Sequence, residues 1–153
     1  MKFLEHKVPP PLVGLVVGGL MWSLATLVAP LEVPFVVRVA GALVLLLLGL
    51  GIAISGVVSF RRAKTTVNPV KINTASSLVS SGVFRLTRNP MYLGVLIALA
   101  GWAVYLANWL ALPGLPLFVL YMNRFQIGPE ERMMATLFGA DYAAYKERVR
   151  RWI

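Results

Sequence analysis

The 153-residue chain is 58% hydrophobic and carries 15 Lys and Arg against 6 Asp and Glu, a net charge of +9. A mean hydropathy of +0.75 is too apolar for an ordinary soluble domain of this length, so the composition predicts one compact integral membrane bundle. The absence of cysteine excludes disulfides, thiolate nucleophiles and cysteine-ligated metals, and the single histidine, His6, argues against a histidine metal site or triad.

Lys2 and Lys7 precede an apolar run as in a signal peptide. No convincing small-residue cleavage context follows, and the run continues to Ala29, so it reads as a retained first span. Residues 12–29 hold no ionisable group. At about 1.5 Å per residue they are about long enough to cross roughly 30 Å of hydrocarbon as a helix. Pro30, Glu32 and Pro34 end it. Residues 39–60 form a second uncharged run, with Arg38 at its entrance able to snorkel to the interface, and Arg61, Arg62 and Lys64 stop it.

Residues 65–90 are a polar connection containing Asn68-Pro69, Asn73-Thr74, Ser76-Ser77 and Ser80-Ser81-Gly82. A connection this long in so small a protein is functional or disordered. Residues 91–107 are a third span, turned at Asn108. Residues 109–125 are a fourth, bent or partly unwound by Pro113, Gly114 and Pro116. Beyond Arg124 the pattern becomes amphipathic. A short helix is expected over 130–138, stopped by Gly139. Asp141 then caps a last helix that repeats Tyr142, Tyr145, Val149 and Trp152 at helical spacing. Lys146, Arg150 and Arg151 face water or lipid phosphate, as in an interfacial helix.

The expected architecture is therefore all-α: an integral membrane bundle of about four transmembrane helices with C-terminal amphipathic interfacial helices. It forms one domain, with two N-terminal spans (1–60), a cytoplasmic connection (61–90), a helical hairpin (91–125) and cytoplasmic or interfacial helices (126–153). The basic residues fall on one side of this arrangement, with Arg38 alone near the other. That places both termini in the cytoplasm of a multi-pass protein, for which a prokaryotic inner membrane is the expected location. Topology and attraction to anionic membrane lipids account for the net charge. Nucleic acid is excluded as a partner, because no soluble domain offers a basic face.

Two polar blocks border the last spans, 82–94 and 128–132. Each has a structural reading: Asn89-Pro90 and Gly128-Pro129 suit helix starts, and Glu130 and Glu131 complement a positive helix end. Their shared border gives a functional reading as well. Asn89, Tyr92, Glu130 and Glu131 could converge on one cavity. Helix N-termini suit a carboxylate, and Glu side chains suit a ribose or an ammonium group. Such a cavity fits a zwitterionic, nucleotide-like ligand with an amino-acid tail. Arg85, Arg88 and Arg124 suit border anchoring, and Tyr142 and Tyr145 suit packing.

From about Thr74 to Trp152 the sequence resembles the isoprenylcysteine carboxyl methyltransferase and phospholipid methyltransferase group, small integral membrane enzymes that use S-adenosylmethionine. The first block is Leu78-Val79, Ser80-Ser81-Gly82-Val83-Phe84 and Arg88-Asn89-Pro90-Met91-Tyr92-Leu93-Gly94. The second is Glu130-Glu131, Phe138-Gly139, Tyr142-Ala143-Ala144-Tyr145 and Arg148-Val149. The resemblance implies that Ser76, Ser77, Leu78, Val79, Phe84, Asn89, Pro90, Met91, Tyr92 and Glu130 line the S-adenosylmethionine pocket. It carries no metal. Asn89 stands where the family usually has His, and Phe84 where it often has Tyr. Ser76 replaces a His, and Gln126 a substrate-associated Arg, of the eukaryotic branch. Asn still donates and accepts hydrogen bonds, so cofactor binding survives, whereas prenylcysteine as the acceptor is weakened.

The expected reaction is methyl transfer to a lipophilic or lipid-linked acceptor arriving from the membrane. Glu131 is the candidate base for an amine acceptor, with Arg124 the second catalytic candidate. The rival reading is a non-catalytic lipid-binding or assembly protein that keeps the fold. Gly14 and Gly18 are spaced for close helix contact and would suit a homodimer.

Overall fold

The computed structural model describes residues 8–63 and 77–153. Ser76 and the basic residues Lys2, Lys7 and Lys64 lie outside them, as do residues 65–75 of the polar connection. Among the described residues the secondary structure is entirely helical: α1 (Pro10–Ala25), α2 (Phe35–Arg62), α3 (Pro90–Leu106), α4 (Gly114–Met122) and α5 (Gly128–Arg148). Short 3-10 turns occupy Gly82–Arg85 and Trp109–Ala111, and a π-turn, Asn123–Ile127, joins α4 to α5.

Prolines set the helix starts. Pro10 and Pro90 occupy the first turns of α1 and α3, and Pro34 immediately precedes α2. A missing N–H costs nothing there, and the fixed φ is already helical. The second helix therefore begins before Arg38 and runs for 28 residues, through the charge expected to mark its entrance. Arg38 Nε donates to the Tyr105 carbonyl at 2.7 Å, and its guanidinium lies 5.5 Å from the Tyr105 ring. It thus neutralises carbonyls at the C-terminal end of α3.

Only α2, among the described helices, is both long and apolar enough to cross a membrane by itself; α1 and α3 are apolar at 16 and 17 residues. The fourth run, 109–125, is interrupted as Pro113, Gly114 and Pro116 lead one to expect, and it is not one helix. It divides into the Trp109–Ala111 turn, the nine-residue α4 and the π-turn. Leu43, Val44 and Leu47 on α2 and Leu15 on α1 are exposed, an apolar surface suited to lipid and costly in water.

Helix α2 packs on α3 more extensively than any other pair meets. A glycine seam permits it: a Cβ at Gly94 would lie 2.5 Å from the Gly49 carbonyl oxygen, and one at Gly49 would lie 2.5 Å from that of Gly94. Gly14 and Gly18 face α3 of the same chain. A Cβ at Gly14 would meet Val95, and the Gly18 carbonyl accepts from Trp102 Nε1 at 3.0 Å. Asn108 fastens the opposite end of the bundle, its side-chain amide donating to the Ala25 and Val28 carbonyls at 3.0 and 3.1 Å. The core joins Val17 and Met21 of α1, Leu99 and Ala103 of α3, and Phe118 and Met122 of α4.

Gly128-Pro129 does not start a separate helix. The Gly128 N–H bonds the Asn123 carbonyl, and the backbone stays helical from α4 through the π-turn into α5. A proline inside an α-helix clashes with the carbonyl four residues back. Widening this turn to the i→i−5 pattern relieves that clash and places Pro129 safely. The expected break at Gly139 is present, at φ 47° and ψ −117°, a backbone conformation that only glycine adopts without strain.

Candidate functional site

The site forms where the polar end of α2, the entrance to α3 and the start of α5 meet. The Phe84-containing turn closes its side. A small cavity of about 60 Å³ is walled by Phe60, Phe84 and Tyr92, by Pro90 and Met91, and by the polar side chains of Arg88, Asn89 and Glu130. Phe60 and Phe84 meet edge to face with ring centroids 5.1 Å apart. The Phe84 carbonyl accepts from Tyr145 Oη at 2.8 Å, which ties this turn to α5 beyond the kink.

The Tyr92 hydroxyl donates to Glu130 Oε1 across the α3–α5 contact. Burial pushes the Glu130 carboxyl up to about 7; the Tyr92 hydrogen bond opposes that rise, and the neighbouring charge of Glu131 adds to it. Tyr142 is pushed up to about 12, first by burial and then by Glu131, with Arg88 opposing. Tyr145 is also raised, chiefly by burial.

Glu131 sits between two guanidiniums. Arg88 Nη2 lies 3.1 Å from its Oε1, and Arg151 donates from Nε at 3.0 Å and from Nη2 at 2.6 Å. The segment carrying Arg151 is stitched to the α3 entrance by its backbone. The Arg151 carbonyl accepts from Asn89 Nδ2 at 2.8 Å and from Thr87 Oγ1 at 3.3 Å, and the Arg150 carbonyl accepts from the Arg88 N–H at 3.1 Å. On the π-turn, Asn123 Oδ1 accepts from Trp152 Nε1 at 3.1 Å.

Six of the expected cofactor residues, Phe84, Asn89, Pro90, Met91, Tyr92 and Glu130, thus converge on one cavity. Leu78 instead packs with Tyr142 and Tyr145, and Val79 is buried without lining it. Ser77 donates to the Ala63 carbonyl at 3.3 Å, and Ser76 lies outside the described residues. Asn89 occupies the N-cap position of α3 but makes no side-chain cap, because its amide is committed to Arg151. Arg124 is exposed and does not line the cavity; its guanidinium lies 5.5 Å from the Phe125 ring. Gln126 is buried in the bundle, its Nε2 donating to the Val8 carbonyl at 2.6 Å.

Sequence reasoning missed Phe60 as a wall and gave Arg88 only a border role. The signal for Phe60 was an aromatic residue directly before Arg61-Arg62, at the same border as Asn89. Nothing in the sequence marked Asn123, Arg151 and Trp152 as partners of the α3 entrance.

The donor set fits S-adenosylmethionine. Glu130 suits its ammonium or ribose, and aromatic faces suit its adenine and sulfonium. Arg88, on the cavity wall, buries Nε and Nη1 without a hydrogen-bond partner among the described residues, which suits a carboxylate.

A family model for phospholipid methyltransferases matches residues 37–141. It includes α2, which the motif reading left out, and stops before Tyr142. An uncharacterised protein of Haemophilus influenzae is 44% identical over 63 residues, 41% of this chain and 100% of that protein. A probable protein-S-isoprenylcysteine O-methyltransferase of Oryza sativa subsp. indica is 34% identical over 110 residues, 70% of this chain and 56% of the rice protein. Protein-S-isoprenylcysteine O-methyltransferase A of Arabidopsis thaliana is 29% identical over 107 residues, 70% of this chain and 54% of its own length. The chain therefore spans about half the length of these plant relatives. No solved structure matches it significantly. By its match over 37–141, which covers all but the first two residues of α2, all of α3 and α4 and the Tyr92–Glu130 site, the chain belongs to the phospholipid methyltransferase family.

Proposed function

We propose that this protein is a membrane methyltransferase that uses S-adenosylmethionine to methylate a lipophilic acceptor at the cytoplasmic face. The observation that carries the reading is the Tyr92–Glu130 pair in a cavity bounded by aromatic side chains, inside the region matched by the family. The cofactor supplies a methyl group on a sulfonium, an excellent leaving group. The protein's part is to hold, align and exclude water. Phe60, Phe84 and Tyr92 provide the dry wall, and Glu130 receives the ammonium or a ribose hydroxyl.

Glu131 cannot easily act as the base expected of it. Its two oxygens are engaged by the guanidiniums of Arg88 and Arg151, and it does not line the cavity, so it is not aimed at an acceptor there. Its role moves to positioning. The reading accordingly favours an acceptor that is already a nucleophile, such as a lipid-linked carboxylate, over an ammonium head group that must first lose a proton. Arg124, exposed beside Phe125, retains only the border role.

The test is transfer of labelled methyl from S-adenosylmethionine into a lipid extract by the purified protein in detergent. Label should enter the lipid fraction with wild type and fall by at least about tenfold with Glu130→Gln, the loss expected on removing a charged hydrogen-bond partner. Equal labelling by both proteins would refute the role of Glu130. Unlabelled lipid with a protein that still binds the cofactor would favour a non-catalytic protein.

A further inference from the structure

Arg88, whose unpartnered nitrogens suit a carboxylate, belongs to a cluster with Glu131 and Arg151. Arg88 spends Nη2 on Glu131 and its backbone N–H on the Arg150 carbonyl. Its Nε and Nη1 remain buried and unpartnered among the described residues, while its side chain lines the same cavity as Glu130. A guanidinium with two buried N–H groups left over is costly unless something accepts from them. Glu131 alone would draw Arg88 wholly into an ion pair. Arg151 takes both Glu131 oxygens from the other side and so limits that pull to a single contact.

We propose that Arg88 is the carboxylate-binding residue of this site, and that Arg151, acting through Glu131, is the positioning residue that turns its free nitrogens to the cavity. The ligand group is the carboxylate of an amino-acid tail whose ammonium lies at Glu130. Two opposite charges on one ligand then meet two opposite charges on the protein, both largely withdrawn from solvent, which separates a zwitterionic methyl donor from one lacking its carboxylate. The inference rests on the S-adenosylmethionine reading and refines it.

Calorimetric titration of the full chain with S-adenosylmethionine and with its decarboxylated form tests it. Wild type should prefer the carboxylated form. Arg88→Met should weaken that form by about tenfold or more, the scale of one charge-assisted hydrogen bond, and change the decarboxylated form little. Arg88→Lys keeps the charge but not the two-pronged donor, and should show a smaller loss confined to the carboxylated form. It serves where Arg88→Met fails to fold. Arg151→Met should reduce the preference in the same direction. A lower melting temperature with unchanged discrimination would make Arg151 a structural residue only and overturn its positioning role. Equal binding of both forms by wild type, or equal losses for both forms in Arg88→Lys, would overturn the assignment of Arg88. No binding of either form by wild type would instead defeat the cofactor reading itself.

Discussion

Glu130 is a buried carboxyl whose affinity for protons is raised to about 7, so near neutral pH it exists in both forms. Only the ionised form attracts an ammonium, and ligand binding must expel the proton from the rest. Affinity for S-adenosylmethionine should therefore weaken as pH falls below about 7, approaching tenfold per unit, and Glu130→Gln should abolish that dependence. A flat binding profile in wild type from pH 5 to about 7 would contradict it. The same group sets a stability trend in the ligand-free protein. Between its ordinary 4.5 and about 7 the folded state holds a proton that the unfolded chain has released. Stability should then fall as pH rises through that window, a slope that Glu130→Gln removes in thermal melts. Residue identity at this site was legible in the sequence because Pro, Tyr, Glu and Asn sat in two short ordered blocks. The tie from Asn89 and Glu131 to Arg151 was not legible, since it runs through a backbone carbonyl and an ion pair 20 residues apart.

At the scale of elements, the α2–α3 seam and the Asn108 fastening determine whether the cavity walls stay in register. Gly94→Ala drives a methyl to 2.5 Å from the Gly49 carbonyl and 2.9 Å from Ala53 Cβ, both on α2. It should destabilise by about 1–3 kcal/mol through overpacking and weaken cofactor binding with it. Gly19→Ala, where a Cβ meets nothing within 4 Å, is the matched control and should be neutral or slightly stabilising in the same melts. Asn108→Ala strands the Ala25 and Val28 carbonyls and the Leu110 N–H, which bonds Asn108 Oδ1 at 3.0 Å. A loss of about 1–3 kcal/mol is expected, with no effect on the pH dependence at Glu130. Helix starts were readable because proline fixes them. The union of α4 with α5 was not: Gly128-Pro129 looks like a beginning, and only the widened π-turn lets the helix continue through it. The interruption of the fourth run was legible for the same reason as the helix starts: Pro113 separates the Trp109–Ala111 turn from α4.

For the whole molecule, hydropathy alone anticipated a helical protein with lipid-facing surface, and the exposed leucines and valines of α2 carry that feature. Hydropathy could not say which helices cross alone, because α1 and α3 gain their order from packing on neighbours and not from length. The central claim is that helices from separated parts of the chain close around one zwitterionic sulfonium ligand. Titration of the purified protein with S-adenosylmethionine tests it most directly. Saturable one-site binding by wild type, weakened at least about tenfold by Glu130→Ala with the fold intact by circular dichroism, is the predicted result. Absence of binding by well-folded wild type, or equal affinity in Glu130→Ala, would contradict it.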